Sequence, residues 1–352
     1  MPLDPSARTS SDDKSELTAI PLMQILSGLY ASKTLAGAVE LDLFTKLPKS
    51  GATFEEVAEM LVLELRPAEM LVSGCAALGL LERRGERWFN SPLSEQFLVA
   101  GKPEYFGPMI RMADRRAYGP WLRITEALKT NCALTWGDQP GLFESLSSAP
   151  EEQRKFTAAM HALSLRSGTA LAKAVDLSKY RRMMDVGGGS GAYCIEAVRQ
   201  FPHLRAVVFD LPIALEVATQ NIAEAGFSDR IETIPGDFFR EELPKGSDLI
   251  LLSVILHDWP PEKNIPVLRK CFDALEPGGA IIVSELMMDD EKTGPLPAAM
   301  MSLCMLIDTE GRNYTWSEYT EWLKEVGFTE VKRIPIQSPG ANGLLVANKP
   351  KG

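Results

Sequence analysis

The chain has 352 residues, 45% of them hydrophobic and 24% charged, the texture of a globular protein long enough for two domains. A formal net charge of −10 argues against a nucleic-acid backbone as partner. The five cysteines, Cys75, Cys132, Cys194, Cys271 and Cys304, form no C-x-x-C pair and read as free thiols of a reducing compartment, so a cytoplasmic location is expected.

Residues 1–16, "MPLDPSARTSSDDKSE", are polar and lack the apolar stretch of a signal peptide; a disordered tail is expected there. No apolar run reaches the ~18 residues that a membrane span needs. Residues 17–48 carry apolar side chains at helical spacing, with few charges before Lys33. A helix apolar over so much of its circumference needs cover, from its own core or from a second subunit. "TFEEVAEML" follows, with Thr53 and Glu56 in capping-box spacing. A second helix ends near Gly79, and a short charged hairpin turns at Gly85. Helix, helix, hairpin is the winged-helix pattern, here over residues 17–100. It is not read as a DNA-binding module, because its would-be recognition helix, "AEMLVSGCAAL", has no basic residue. Residues 1–100 also carry 9 Lys and Arg against 14 Asp and Glu, so packing or dimerisation is the expected role. Residues 101–175 read as a helical linker rich in Met109, Met112, Tyr118, Trp121, Trp136, Phe143, Phe156 and Met160.

From residue 176 to 352 the texture changes. Short apolar runs, "RRMMDV", "RAVVFD", "RIETIP", "DLILLSVI" and "GAIIVSE", alternate with amphipathic helical segments. Continuous runs of this kind mean parallel strands buried on both faces. The last two runs, "EVKRIPI" and "GLLVANK", lie too close together for a crossover helix, so the final strand is expected to be antiparallel. The fold class is α/β: a doubly wound, seven-stranded, mostly parallel Rossmann-like sheet behind a helical, winged-helix-like N-terminal domain.

In such a sheet, ligands bind at the carboxyl ends of the strands. Gly187, Gly188, Gly189, Ser190 and Gly191 follow the first strand, and Gly187-x-Gly189-x-x-Ala192 satisfies the dinucleotide fingerprint. Asp210 closes the second strand and suits ribose hydroxyls; this much fits NAD as well as S-adenosylmethionine. Asp185 just before the loop is poor for a pyrophosphate and good for an ammonium group. Asp237, followed by Phe238, closes the third strand, where the acid can meet the amino edge of an adenine and the ring its face. His257 sits after the fourth. Three acids, one histidine and no Lys or Arg in the loop favour a zwitterionic sulfonium ligand.

Together "MMDVGGGSGAY", "VVFDLP", "PGDFF", "LHDW" and "GRNYTWSEYTEWLKEVGF" resemble the plant-type, S-adenosylmethionine-dependent small-molecule O-methyltransferases, in the branch whose bacterial relatives act on polyketides, anthracyclines and phenazines. The resemblance covers nearly the whole chain. It implies that Asp185, Gly187 and Gly189 hold the methionyl end of the cofactor, with Ser164 near its carboxylate. Asp210 and Leu211 would hold the ribose, and Asp237 and Phe238 the adenine. Ser253 stands where plant members carry a lysine. It also implies His257 as general base, Asp258 beside it, Glu285 as an orienting acid, and an acceptor pocket holding Phe156, Met160 and Met305. Trp121 and Met301 are read as further candidates for that pocket. Asn313 stands where many relatives carry the second orienting acid; an amide can hydrogen-bond an imidazole but cannot stabilise an imidazolium by charge. The N-terminal domain implies a homodimer.

The expected reaction is in-line methyl transfer to a hydroxyl of a small aromatic metabolite, yielding S-adenosylhomocysteine, with no metal, nucleic acid or membrane involved. His161 is read as a packing residue and His203 as part of a surface turn. The alternatives are an N-, S- or C-methyltransferase of the same fold, whose acceptor needs little deprotonation, a non-catalytic binding protein, and an NAD oxidoreductase.

Overall fold

The computed structural model describes residues 17–134 and 142–351. The expected tail at 1–16 and Trp136 lie outside the described residues, as does the side chain of Phe143. Two compact units meet between Ala117 and Tyr118.

The first unit opens with helices α1 (Ile20–Leu26), α2 (Gly28–Glu40), α3 (Leu43–Lys46), α4 (Phe54–Leu61) and α5 (Leu65–Ala77). Strands β1 (Leu81–Arg84) and β2 (Arg87–Asn90) pair antiparallel, followed by α6 (Pro92–Phe97) and the start of α7 (Gly107–Trp121). The capping box forms as spaced: Thr53 Oγ accepts from the Glu56 N–H, and Glu56 Oε2 accepts from the Thr53 N–H. An isolated antiparallel bridge ties Ala52 to Trp88 of the hairpin. Val39, Leu43, Phe44, Val57, Leu61, Val72, Cys75 and Leu81 make this unit's core. None of α1 enters it. Ile20, Leu22, Met23, Ile25, Leu26, Leu29 and Tyr30 are all more than half exposed, so within one chain the core does not supply the cover that their apolar character needs.

The second unit begins with helices α8 (Ile124–Thr130), α9 (Leu142–Ser147) and the long α10 (Pro150–Ala174). Then come β3 (Arg182–Val186), α11 (Ala192–Gln200), β4 (Arg205–Asp210), α12 (Pro212–Glu224), β5 (Ile231–Pro235) and β6 (Ser247–Ser253). A 3-10 turn (Leu256–Asp258), α13 (Pro261–Ala274), β7 (Leu275–Glu285), α14 (Leu296–Asp308), α15 (Trp316–Val326), β8 (Thr329–Pro335) and β9 (Gly343–Asn348) complete it. The sheet has seven strands in the order β5-β4-β3-β6-β7-β9-β8. β5, β4, β3, β6 and β7 pair in parallel, and β9 runs antiparallel between β7 and β8, as expected.

Alternation along each strand serves two cores. Met184, Val186, Val207, Ile250 and Ile281 face a layer with Leu268 of α13 and Leu323 of α15. Met183, Val208, Leu249, Leu251 and Ile282 face a layer with Leu171 of α10, Ile195 of α11 and Ile222 of α12. Burial on both sides is why these strands read as unbroken apolar runs. Strand order reverses direction between β3 and β6, so the loops after these strands open the cleft where this fold places ligands.

Candidate active site

The glycine loop leaves β3 with Gly187, Gly189 and Gly191 all at positive φ, a region open to glycine at little cost. At Gly187 the need is also steric: a Cβ there would stand 2.5 Å from Ile255 Cδ1 and 3.4 Å from the Phe238 ring. The Gly187 N–H donates to the Phe209 carbonyl, fastening the loop to the end of β4. Asp210 is held at both oxygens. The Gly189 N–H donates to Oδ2 at 2.7 Å and the Leu211 N–H to Oδ1 at 2.6 Å. Burial still raises its pKa to about 6 against those two bonds.

Asp185 is buried with Oδ2 unpartnered, an arrangement costly enough to need a reason. Burial, then the neighbouring Asp210, raise its pKa to about 8. A buried acid with a free oxygen, below a loop kept open for close backbone approach, fits a ligand that brings a cation.

At the end of β5, Asp237 accepts the Phe239 N–H and lies 3.3 Å from the Arg240 guanidinium. Phe238 packs on Phe239 (ring centroids 4.6 Å apart) and Phe239 on Trp259 edge to face (4.8 Å). Lys270 of α13 donates to the carbonyls of Phe238, Phe239 and Glu241. This aromatic wall runs from the glycine loop to the turn bearing His257. Nothing in the sequence signals Lys270, since its partners are backbone oxygens about 30 positions away.

His257 lies on the 3-10 turn after β6, with Val254 just before it at φ +55, a strained setting for a β-branched residue. The turn is fastened by Glu285, the last residue of β7. Glu285 Oε1 accepts the N–H groups of Ile255 and Leu256, and Oε2 lies 3.4 Å from His257 Nδ1. Asp258 Oδ1 lies 3.7 Å from Nε2. All three side chains are buried. Burial lowers the His257 pKa to about 4 and raises that of Glu285 to about 8. Asp258 is raised well above the carboxylate range by burial, then by Glu285 and Asp308. The imidazole is therefore neutral at pH 7, the form that can accept a proton.

Asn313 sits under the same turn, yet its Nδ2 donates to the Leu286 carbonyl at 2.7 Å and its Oδ1 is buried without a partner. It braces the chain beside Glu285. Gly311, two residues earlier, is pressed against the turn: a Cβ would stand 2.1 Å from the His257 carbonyl. Tyr314 completes the brace, its hydroxyl donating to the Trp259 carbonyl.

The remaining candidates lie on α7, α10, α14 and β6. α14, which packs on α8 and on the His257 turn, carries half-buried Met301 and buried Met305. Met301 also packs against Leu286, Met288 and Ala298. α10 carries half-buried Phe156, Met160 and Ser164. Between the last two, His161 bonds Ser190 of the glycine loop, so this stretch of α10 reaches the loop. Trp121 is half-buried at the end of α7, and Ser253 is half-buried at the end of β6. His203 bonds the Tyr180 carbonyl and stacks edge-on to Phe201. Among the described residues no group of three His, Cys, Asp or Glu is placed to hold a metal ion, and no helix is long and apolar enough to cross a membrane.

Comparison with known proteins agrees with this geometry. A family model described as an O-methyltransferase domain matches residues 124–329, and one described as an O-methyltransferase dimerisation domain matches residues 23–100. The 3-hydroxy-5-methyl-1-naphthoate 3-O-methyltransferase of Streptomyces sahachiroi is 44% identical over 93% of this chain and 94% of its own length. The tetracenomycin polyketide synthesis 8-O-methyltransferase TcmO of Streptomyces glaucescens is 35% identical over 94% of this chain and 96% of its own. The crystal structure of human N-acetylserotonin methyltransferase in complex with S-adenosylmethionine superposes with a TM-score of 0.86 at 29% identity, over 96% of this chain and 99% of that one.

Proposed function

The chain belongs to the O-methyltransferase family with an N-terminal dimerisation domain, and from that premise we propose that it methylates a hydroxyl of a hydroxynaphthoate-like aromatic acceptor with His257 as general base. The methyl donor is S-adenosylmethionine, which supplies an activated methyl group on a sulfonium. The single observation that carries the catalytic assignment is the burial of His257, its Nδ1 3.4 Å from Glu285 Oε2, at the same end of the sheet as the glycine loop and Asp210.

The chain's own work is to bind, orient and deprotonate. Asp185 offers its free oxygen to the ammonium of the methionyl end. Asp210, pinned by Gly189 and Leu211, faces the ribose, and Asp237 with Phe238 the adenine. Holding donor and acceptor in line contributes up to ~7–11 kcal/mol of barrier lowering. A phenolic hydroxyl has a pKa near ~10, so its proton must leave as the new bond forms. His257 takes that proton on Nε2, with Nδ1 directed at Glu285. Asp258, half-buried Met301 and buried Met305 of α14 border the acceptor. The dimerisation domain acts in a homodimer whose interface covers α1.

The test is incubation with trideuteromethyl S-adenosylmethionine and a set of hydroxynaphthoates, followed by mass spectrometry. A labelled methyl ether formed with an equal amount of S-adenosylhomocysteine is the expected product. Label found on carbon, or no label on any of the hydroxynaphthoates while the cofactor binds, would overturn the acceptor assignment.

A further inference from the structure

His161 does more than fill space. Its Nδ1 lies 2.9 Å from Ser190 Oγ, in the middle of the glycine loop, and 3.1 Å from Asn221 Nδ2 on α12. The same Asn221 nitrogen donates to the Ser190 carbonyl at 3.1 Å. One ring nitrogen thus ties together α10, the glycine loop and α12.

Donor counting settles the tautomer. The Asn221 amide nitrogen has only protons to offer, and its contact with a carbonyl fixes which end of the amide points this way. Nδ1 must therefore accept and the ring proton sits on Nε2, with the single Nδ1 lone pair shared between the Asn221 N–H and the Ser190 hydroxyl. Burial lowers the His161 pKa, opposed by Glu224 of α12, and keeps the ring in this neutral form. An imidazolium would set an N–H against an NH2 and lose the arrangement.

The position matters because Ser190 stands between Gly189 at φ +54 and Gly191 at φ +75. Glycines give a loop freedom that must be lost when it closes on a ligand. A side-chain bond to Ser190 Oγ and an amide bond to its carbonyl remove that freedom beforehand.

We propose that His161 is a positioning residue that sets the glycine loop, through Ser190, in the shape that receives S-adenosylmethionine. This rests on the cofactor reading given above. The test is the calorimetric affinity of the full-length protein for S-adenosylhomocysteine in wild type, His161→Phe and His161→Asn, with Asp210→Ala as the control for the cofactor site. Phenylalanine keeps the ring's shape and removes the acceptor; the asparagine oxygen falls near the place of Nδ1. The phenylalanine variant is expected to weaken affinity about tenfold, the scale of one hydrogen bond, and the asparagine variant to recover most of it. In turnover assays the phenylalanine variant raises KM for the cofactor and keeps kcat. Amide hydrogen exchange at Ser190 and Gly191 in the ligand-free protein, a readout independent of activity, speeds up in His161→Phe and not in His161→Asn. Wild-type affinity and exchange in His161→Phe, or equal loss in both variants, would overturn the proposal and leave His161 a packing residue. If Asp210→Ala also binds like wild type, the cofactor placement falls and the proposal with it. Loss in Asp210→Ala alone overturns only the role of His161.

Discussion

At the scale of single residues, the site is a set of acids held where water would not leave them. Asp185, raised to about 8, and Asp210, raised to about 6, keep protons in the folded protein that an unfolded carboxylate releases near pH ~4. Between those limits the folded state binds more protons than the unfolded, so the stability these groups contribute falls as pH rises from ~4 toward 8. A cation set against Asp185 favours its ionised form and expels the proton. Binding of S-adenosylhomocysteine at pH 7 is therefore expected to release protons. Calorimetry in two buffers of different ionisation enthalpy measures this, and zero release would mean that Asp185 does not meet the ammonium. The strand-end acids and His257 could be found from sequence because each closes an apolar run. Lys270 and the partnership of His161 with Ser190 could not, because their partners are distant in the chain and, for Lys270, are backbone oxygens that no residue type advertises.

At the scale of elements, the strands announced themselves because burial on both faces requires unbroken apolar runs, and the seven-stranded order follows. The brace beneath the His257 turn was less visible. "GRNYT" reads as a departure from a family motif, and only the packing shows what the segment does: Gly311 lies on the His257 carbonyl, Asn313 holds the Leu286 carbonyl, and Tyr314 holds that of Trp259. A glutamate at 313 has no N–H to give Leu286, so the amide is suited to this brace in a way an acid is not. Gly311→Ala would push a methyl group into backbone at 2.1–2.5 Å from His257, Asp258 and Trp259. The expected cost is about 1–3 kcal/mol in urea unfolding, with a fall in kcat as the turn shifts. Wild-type stability and turnover would show that the brace yields freely.

At the scale of the whole molecule, the apolar face of α1 and the start of α2 is left exposed by the described residues of one chain. Sequence periodicity named two kinds of cover, an internal core or a second subunit, and the core of the described residues does not supply the first for these side chains. The match to a dimerisation domain over residues 23–100 spans most of this face. Replacing Ile25 and Leu29 together by Asp places two charges on it, and dissociation of a homodimer is expected in sedimentation velocity at micromolar concentration. An unchanged sedimentation coefficient would locate the interface elsewhere. The acceptor was the least readable feature at this scale, because the candidates for its pocket, Met301, Met305, Phe156 and Met160, offer shape and apolar area without a hydrogen-bonding code.

The most direct measurement compares wild type with His257→Gln on a hydroxylated aromatic acceptor, following transfer of labelled methyl and, in parallel, the affinity for S-adenosylhomocysteine. The expected result is a loss of ~10²–10⁴-fold in turnover, the contribution of a positioned base, with cofactor affinity unchanged. Equal turnover by the two proteins would contradict base-assisted transfer and direct attention to an acceptor that gives up its proton unaided.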